Sequence, residues 1–205
     1  MNGETLTGLL KKGQEILVQA GIEEAGLDAR LLLEYITGKS RAYYFAYGEE
    51  SVTESVAERY LELISRRAGH IPLQHLTHQA FFMGYEFYVN EDVLIPRQDT
   101  ETLVEETLRL LKGRQKPRVL DMCTGSGCIL TSILLEVPDA SGTGADLSEK
   151  ALKVAACNAR RLQTADRAEF VKSDLFSSEY FSGSVYDVLI SNPPYIPTEE
   201  IEGLM

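Results

Sequence analysis

Long apolar runs are missing from this sequence: nothing approaches the ~18 consecutive apolar residues a membrane-crossing helix needs, so no membrane partner is expected. The opening MNGETLTGLLKKGQE also lacks the charged-then-apolar layout of a signal peptide, and a cytoplasmic location is expected. Cysteine is scarce. Cys123, Cys128 and Cys157 form an odd, scattered set with no C-x-x-C pair and no neighbouring histidine, which argues against a metal centre and leaves reduced packing residues. Positive charge is in deficit, with 20 Lys and Arg against 31 Asp and Glu and a formal net charge of −11. That balance opposes broad contact with a phosphate backbone, although a local basic patch is compatible with it, and direct nucleic-acid binding is not expected. Repeats and low-complexity tracts are absent too.

What is present is the composition of an ordinary globular protein: 205 residues, 44% hydrophobic and 25% charged, enough for one sizeable domain and a small one. The first 70 residues read as four short helices. TLTGLLKKGQEILVQAG sets Leu6, Leu9, Leu10, Ile16 and Leu17 at helical spacing, LDARLLLEYITG repeats the pattern up to Gly38, and RAYYFAYG is a short aromatic piece. SVTESVAERYLELISRRAG is the clearest helix, with Ser51 or Thr53 as cap and Val56, Tyr60, Leu63 and Ile64 on one face. After HIPLQHLTHQ the period changes, and AFFMGYEFYVNEDVLIP reads as a hairpin turning at Gly84. DTETLVEETLRLLKG follows as a helix, with Asp99 or Thr100 expected to cap it.

From Pro117 onward, strand-like and helix-like segments alternate, which indicates an α/β domain built on a parallel sheet with crossover helices. The expected organisation is a helical bundle over 1–70, a hairpin linker over 71–98 and a cofactor-binding domain over 99–205.

VLDMCTGSGCI joins a buried strand to a helix through a turn in which Gly125 and Gly127 can take positive φ or let a ligand approach the backbone. Taken alone, this is a weak signal. The dinucleotide fingerprint G-x-G-x-x-G is not matched, and no lysine stands in P-loop position. Three acids at successive strand ends add weight: Asp121, Asp146 and Asp174. The carboxyl ends of strands in an open α/β sheet line the ligand crevice, so these acids are expected to face a shared site. Asp146, about 20 residues past the glycine turn, sits where a carboxylate can accept both hydroxyls of a ribose. Asp174 could accept from an adenine amino group, with Leu175 and Phe176 against the ring. A helix cap explains any one of these acids, but not all three in order.

VLISNPPYIP ends an apolar strand in Asn192, Pro193, Pro194 and Tyr195. Proline has a carbonyl but no N–H, so this strand end offers rigid acceptors without competing donors, and the Asn192 amide oxygen adds another. Such a site grips an NH₂ group by its hydrogens and holds its nitrogen in line with an electrophile. Tyr195 would pack on the planar group that carries it.

In this order, VLDMCTGSG, Asp146, SDLF and SNPPY resemble the S-adenosylmethionine-dependent amino methyltransferases, whose fold is a Rossmann-like parallel sheet. PLQHLTHQAFFMGYEFYVNEDVLIPRQDTETLVE is similar, more narrowly, to the release factor glutamine methyltransferases of the PrmC/HemK family. That resemblance implies methylation of the glutamine amide in the Gly-Gly-Gln loop of peptide chain release factors. It implies S-adenosyl-L-methionine as cofactor and S-adenosyl-L-homocysteine as product. By the same resemblance Cys123, Thr124, Gly125, Ser126 and Gly127 wrap the methionine part, Asp146 holds the ribose, Asp174 and Leu175 border the adenine, and Asn192 lies at the junction of cofactor and target. Asn192, Pro193, Pro194 and Tyr195 hold the glutamine amide, and Arg97 and Asp99 fall in a segment close to that pocket. Residues 1 to 70 are expected to contact the release factor.

Two positions depart from the family pattern: Cys123 replaces the usual first glycine of the loop, and Gln98 replaces a proline. The family's sheet has seven strands, and this chain ends ten residues after Tyr195, so the sheet is expected to be incomplete at the C-terminus and its fourth strand to lie at an open edge. Another chain, or self-association, is expected to cover that edge. The alternatives are a nucleic-acid methyltransferase acting on the adenine amino group, with Tyr195 stacked on a flipped base, a non-catalytic cofactor-binding fragment, and an enzyme whose target is a ribosomal protein glutamine.

Overall fold

The structure, a computed structural model, describes residues 4–194. It divides into two compact units, one ending at His78 and one beginning at Gln79.

The first unit is helical: α1 (Leu6–Gln19), α2 (Ala25–Thr37), α3 (Arg41–Tyr47), α4 (Glu54–Ala68) and α5 (Leu73–Thr77). Local chemistry sets the ends. Thr5 caps α1 by accepting from Gly8 N at 3.1 Å, and Thr53, rather than Ser51, caps α4 by accepting from Val56 N. The apolar stripes then meet: Leu9, Leu17, Leu32, Leu33, Tyr60 and Ile64 are fully buried together. Helix α5 is an addition to the four helices expected. Pro72, whose fixed φ suits a helix start, precedes it, and Leu76 docks into the same core. Arg67, at the end of α4, donates from Nε to the buried Asp28 of α2 at 2.6 Å and from Nη1 to Ile71 O at 3.3 Å. One guanidinium thus pins the turn into α5 to α2.

The second unit opens with the antiparallel hairpin β1 (Gln79–Phe82) and β2 (Tyr85–Tyr88). Helix α6 (Glu101–Leu111) follows, then β3 (Arg118–Met122), α7 (Cys128–Glu136), β4 (Ser141–Asp146), α8 (Glu149–Arg161), β5 (Ala168–Lys172) and β6 (Val188–Ser191). Among the described residues the last four strands form one parallel sheet in the order β5-β4-β3-β6, so consecutive strands reverse direction of travel between β5 and β6. β6 is an edge strand of that sheet, with Leu189 53% exposed.

The pleat of β3 sorts its side chains by twos. Val119 packs with α7 residues Ile129, Leu130 and Ile133, whereas Leu120 and Met122 join Ala145, Phe181 and Tyr186 in a separate cluster. Helix α7 is buried almost all round, which explains its nearly continuous apolar sequence CILTSILLE.

Two side chains unite the hairpin with the rest of this unit. Glu101 Oε1 accepts from Met83 N in the hairpin turn at 2.7 Å. Asn158, fully buried on α8, accepts from Tyr88 N at 2.7 Å and donates to Tyr88 O and Ser126 O, both at 2.9 Å. A buried amide that spends both its oxygen and its nitrogen in this way is fully compensated for leaving water. It joins β2 to the turn after β3.

Candidate active site

The loops at the carboxyl ends of all four parallel strands, together with the segment leading into α6, enclose a cavity of about 1100 Å³. It lies where an open α/β sheet places its ligands, beside the point at which the strand order reverses.

The first wall is the turn after β3. Cys123 has φ 62°, Gly125 φ 54° and Gly127 φ 75°, all in the left-handed region. For Cys123 that conformation carries a steric cost of about 1–2 kcal/mol which glycine would avoid, and its thiol is pushed above its ordinary pKa, chiefly by burial. The turn is held by Thr124 N on Ala145 O at 2.9 Å and Gly127 N on Thr124 O at 2.8 Å. Cys123 and Gly125 line the cavity. Thr124 and Ser126 are instead buried, and Gly127 sits under α8, where a Cβ would come within 2.9 Å of Ala155 Cβ. These last three residues build the turn rather than face the cavity.

Asp121, expected to face the shared site, does not. It lies on the α7 side of the β3 pleat, fully buried, where Oδ2 accepts from Thr124 Oγ1 at 2.6 Å and Leu130 N at 3.3 Å. Its Oδ1 has no partner among the described residues. Burial pushes this carboxyl from 3.8 up to about 7, against the two donors, which pull it down. A raised pKa means the fold favours the neutral acid. The stability linked to it is complete below about pH 4 and is lost as pH rises to about 7. Asp121→Asn should lack this dependence. Measured by urea denaturation, the variant should gain about 2 kcal/mol on the wild type between pH 5 and pH 7, and parallel stability curves would disprove the assignment.

Asp146, at the end of β4, lines the cavity, and its carboxylate is fixed by two backbone donors: Gly125 N to Oδ2 and Ser148 N to Oδ1, both at 2.9 Å. Each oxygen retains a lone pair for a further donor. The turn after β5 is tied to the same strand end by Ser173 N on Asp146 O at 3.0 Å, and Ser173 Oγ donates to Leu175 O at 2.6 Å. This fold-back holds Leu175 at φ 48° and sets Asp174 and Leu175 on the cavity wall. Phe176 does not join them; it packs edge-on against Phe181 with ring centroids 5.8 Å apart.

The wall after β6 consists of Asn192, Pro193 and Pro194; Tyr195 lies outside the described residues. Asn192 Nδ2 donates to Thr100 Oγ1 at 3.2 Å. Arg97 and Asp99 line the cavity as well, from the single 3-10 turn before α6 and its approach. Neither Asp99 nor Thr100 caps α6 through its side chain, contrary to the sequence reading, because Thr100 already has helical angles (φ −72°, ψ −17°) and its hydroxyl meets Asn192 instead. Thr100 as a site residue escaped sequence reasoning; its one signal was a position in the IPRQDTE segment. Four acids, Asp92, Asp99, Asp146 and Asp174, and the single cation Arg97 line the cavity among the described residues, which favours a ligand of positive charge.

A parallel sheet whose strand-end loops gather a glycine turn, a fixed acid and an Asn-Pro-Pro terminus defines the S-adenosylmethionine-dependent methyltransferase class. Residues 99–203 match the family model of the methyltransferase small domain, and residues 8–77 match that of the PrmC N-terminal domain. Curated relatives align over nearly the whole chain. A release factor glutamine methyltransferase of Clostridium acetobutylicum is 34% identical over 96% of this chain and 69% of its own length. Those of Bordetella pertussis and Leptospira interrogans are 40% and 38% identical, over 91% and 98% of this chain and 67% and 71% of theirs. A solved S-adenosylmethionine-dependent methyltransferase of Geobacter sulfurreducens, in complex with S-adenosylhomocysteine, shares 31% identity over 41% of this chain and 31% of that one, with a TM-score of 0.32. The chain belongs to the release factor glutamine methyltransferase family.

Proposed function

We propose that the chain methylates the side-chain amide nitrogen of a glutamine in peptide chain release factors, within their Gly-Gly-Gln loop, using S-adenosylmethionine. The observation that carries this reading is the Asn192 amide, oriented by its hydrogen bond to Thr100 on a cavity wall continued by two prolines. The adenine-amine alternative has less support, since the acidic cavity opposes a phosphate backbone and the curated relatives carry the release factor description.

The residues present fit the cofactor. Gly125 lines the cavity, and a Cβ there would meet nothing within 4 Å, so its backbone can be approached closely. Asp146 has lone pairs left for two ribose hydroxyls, and Leu147 and Leu175, 63% and 56% exposed on the cavity wall, offer apolar faces to the adenine. When bound, S-adenosylmethionine supplies an electrophilic methyl group on a sulfonium.

An amide nitrogen is a poor nucleophile because its lone pair is delocalised. The chain's contribution is therefore orientation and electrostatics. Asn192 stands on the cavity wall with its Nδ2 on Thr100, its amide oxygen is an acceptor by type, and the proline carbonyls add acceptors with no competing donor. Acceptance of the target's N–H groups stabilises the positive charge that grows on nitrogen as the N–C bond forms and the C–S bond's electron pair leaves with the thioether of S-adenosylhomocysteine, before the nitrogen releases one proton to solvent. The first unit is assigned the recruitment of the release factor, and translation places the reaction in the cytoplasm. No helix among the described residues is long and apolar enough to cross a membrane.

Peptide mass spectrometry of an unmethylated release factor incubated with the chain and S-adenosylmethionine should show one added methyl on the Gly-Gly-Gln peptide. Release factor KM should rise when the first unit is removed, with cofactor affinity unchanged. An unmodified peptide would sink the substrate assignment, and an unchanged KM would sink that of the first unit.

A further inference from the structure

Among the described residues, Arg97 is the one cation that lines the cavity, and it shares the wall with four acids. No ion pair joins it to any of them, or to any other described residue. Asp92 is taken by Lys150 Nζ at 3.1 Å and Asn90 Nδ2 at 3.2 Å, and Asp146 by its two backbone donors. Asp99, two residues further along the same wall, does not tie Arg97 up either. The backbone keeps Arg97 in place: it is extended, at φ −104° and ψ 143°, and its carbonyl accepts from Thr100 N at 3.0 Å. A guanidinium stays charged at any working pH, and its planar fork of donors matches a carboxylate.

The reaction proposed above brings one anionic group into this cavity. A Gly-Gly-Gln loop has no ionised side chain, and the adenosine part of the cofactor is neutral. The sulfonium and the ammonium of S-adenosylmethionine are cations, which the acids of the wall suit. What remains is the α-carboxylate of its methionine part, and Cys123 and Gly125, the turn residues beside which that part is expected, line the same cavity as Arg97. We infer that Arg97 receives this carboxylate, so that the cavity selects an adenosyl ligand with an intact amino-acid end. The inference rests on the functional reading above, and it gives the segment before α6 a role in holding the cofactor.

Calorimetry on the full chain tests it with two ligands. S-adenosylhomocysteine carries the carboxylate, and S-adenosyl-3-thiopropylamine keeps the ammonium and lacks only the carboxylate. Wild type should bind the first about tenfold more tightly, the span of a charge-assisted contact at an exposed wall. In Arg97→Met, which keeps an unbranched apolar stem, that ratio should fall to within about twofold through weaker binding of S-adenosylhomocysteine alone. Arg97→Lys should keep an intermediate ratio, since it retains the charge without the fork. A wild-type ratio within about twofold overturns the inference, and so does a ratio that survives in Arg97→Met. Equal weakening of both ligands in Arg97→Met overturns it too, because Arg97 would then only shape the wall. Failure of the functional reading shows separately: the release factor would stay unmethylated while the ligand ratio still followed Arg97.

Discussion

Asn192→Ala is expected to reduce kcat for release factor methylation by about 10²- to 10³-fold, the usual effect of deleting one preorganised partner of a developing charge. Two things are lost together. The amide oxygen that accepts from the target nitrogen disappears, and the wall that Asn192 forms with Pro193 and Pro194 loses a side chain. Binding of S-adenosylmethionine should change by less than about threefold, because the groups that fit its ribose and adenine, Asp146 and Leu175, stand on other strand ends. Asn192→Asp keeps an acceptor, and the Thr100 hydroxyl can turn to donate to it, so its kcat should lie between those of wild type and alanine. Single-turnover kinetics with saturating cofactor would check the series. An alanine variant within threefold of wild type would remove Asn192 from the mechanism.

The second large effect separates two glycines that look equivalent in CTGSG. Gly127 has φ 75°, and an added Cβ would stand 2.9 Å from Ala155 Cβ and 3.1 Å from its Cα, where backbone cannot yield. Gly127→Ala should therefore destabilise the second unit by about 2–4 kcal/mol, summing left-handed strain and overpacking. Gly125 shares the left-handed backbone (φ 54°), yet a Cβ there meets nothing within 4 Å. Gly125→Ala should cost only about 1 kcal/mol of stability but weaken S-adenosylmethionine binding more than about tenfold by blocking close approach to the backbone. Denaturation and calorimetry on both variants would show opposite rankings. The same ranking in both assays would mean that Gly125 does not face the cofactor.

Cys123 shows why local rules overlook such positions. Its neighbours in sequence call for a turn, and the loop adopts one with Cys123 at φ 62°, a conformation that glycine takes without steric cost. The fold tolerates the strain because Thr124 and Gly127 close the turn by backbone hydrogen bonds to Ala145 and Thr124.

Periodicity and punctuation alone determined much of this protein. The helical stripes of α1, α2 and α4, the hairpin around Gly84, the alternation after Pro117 and the strand-end positions of Asp146, Asp174 and Asn192 were all legible, because each is encoded within a few residues of itself. Tertiary structure decided what those ends do. Asp121 reads as one of three acids facing the site, yet the β3 pleat turns it toward the buried side of α7. Thr100 reads as a cap, yet the packing of α6 on β6 hands its hydroxyl to Asn192. Asn158, which the sequence did not single out, joins the hairpin to the turn after β3, where Ser126 lies 32 residues away. Each of these outcomes depends on a partner distant in sequence, and only the strand order and the close approach of helices to the sheet select that partner.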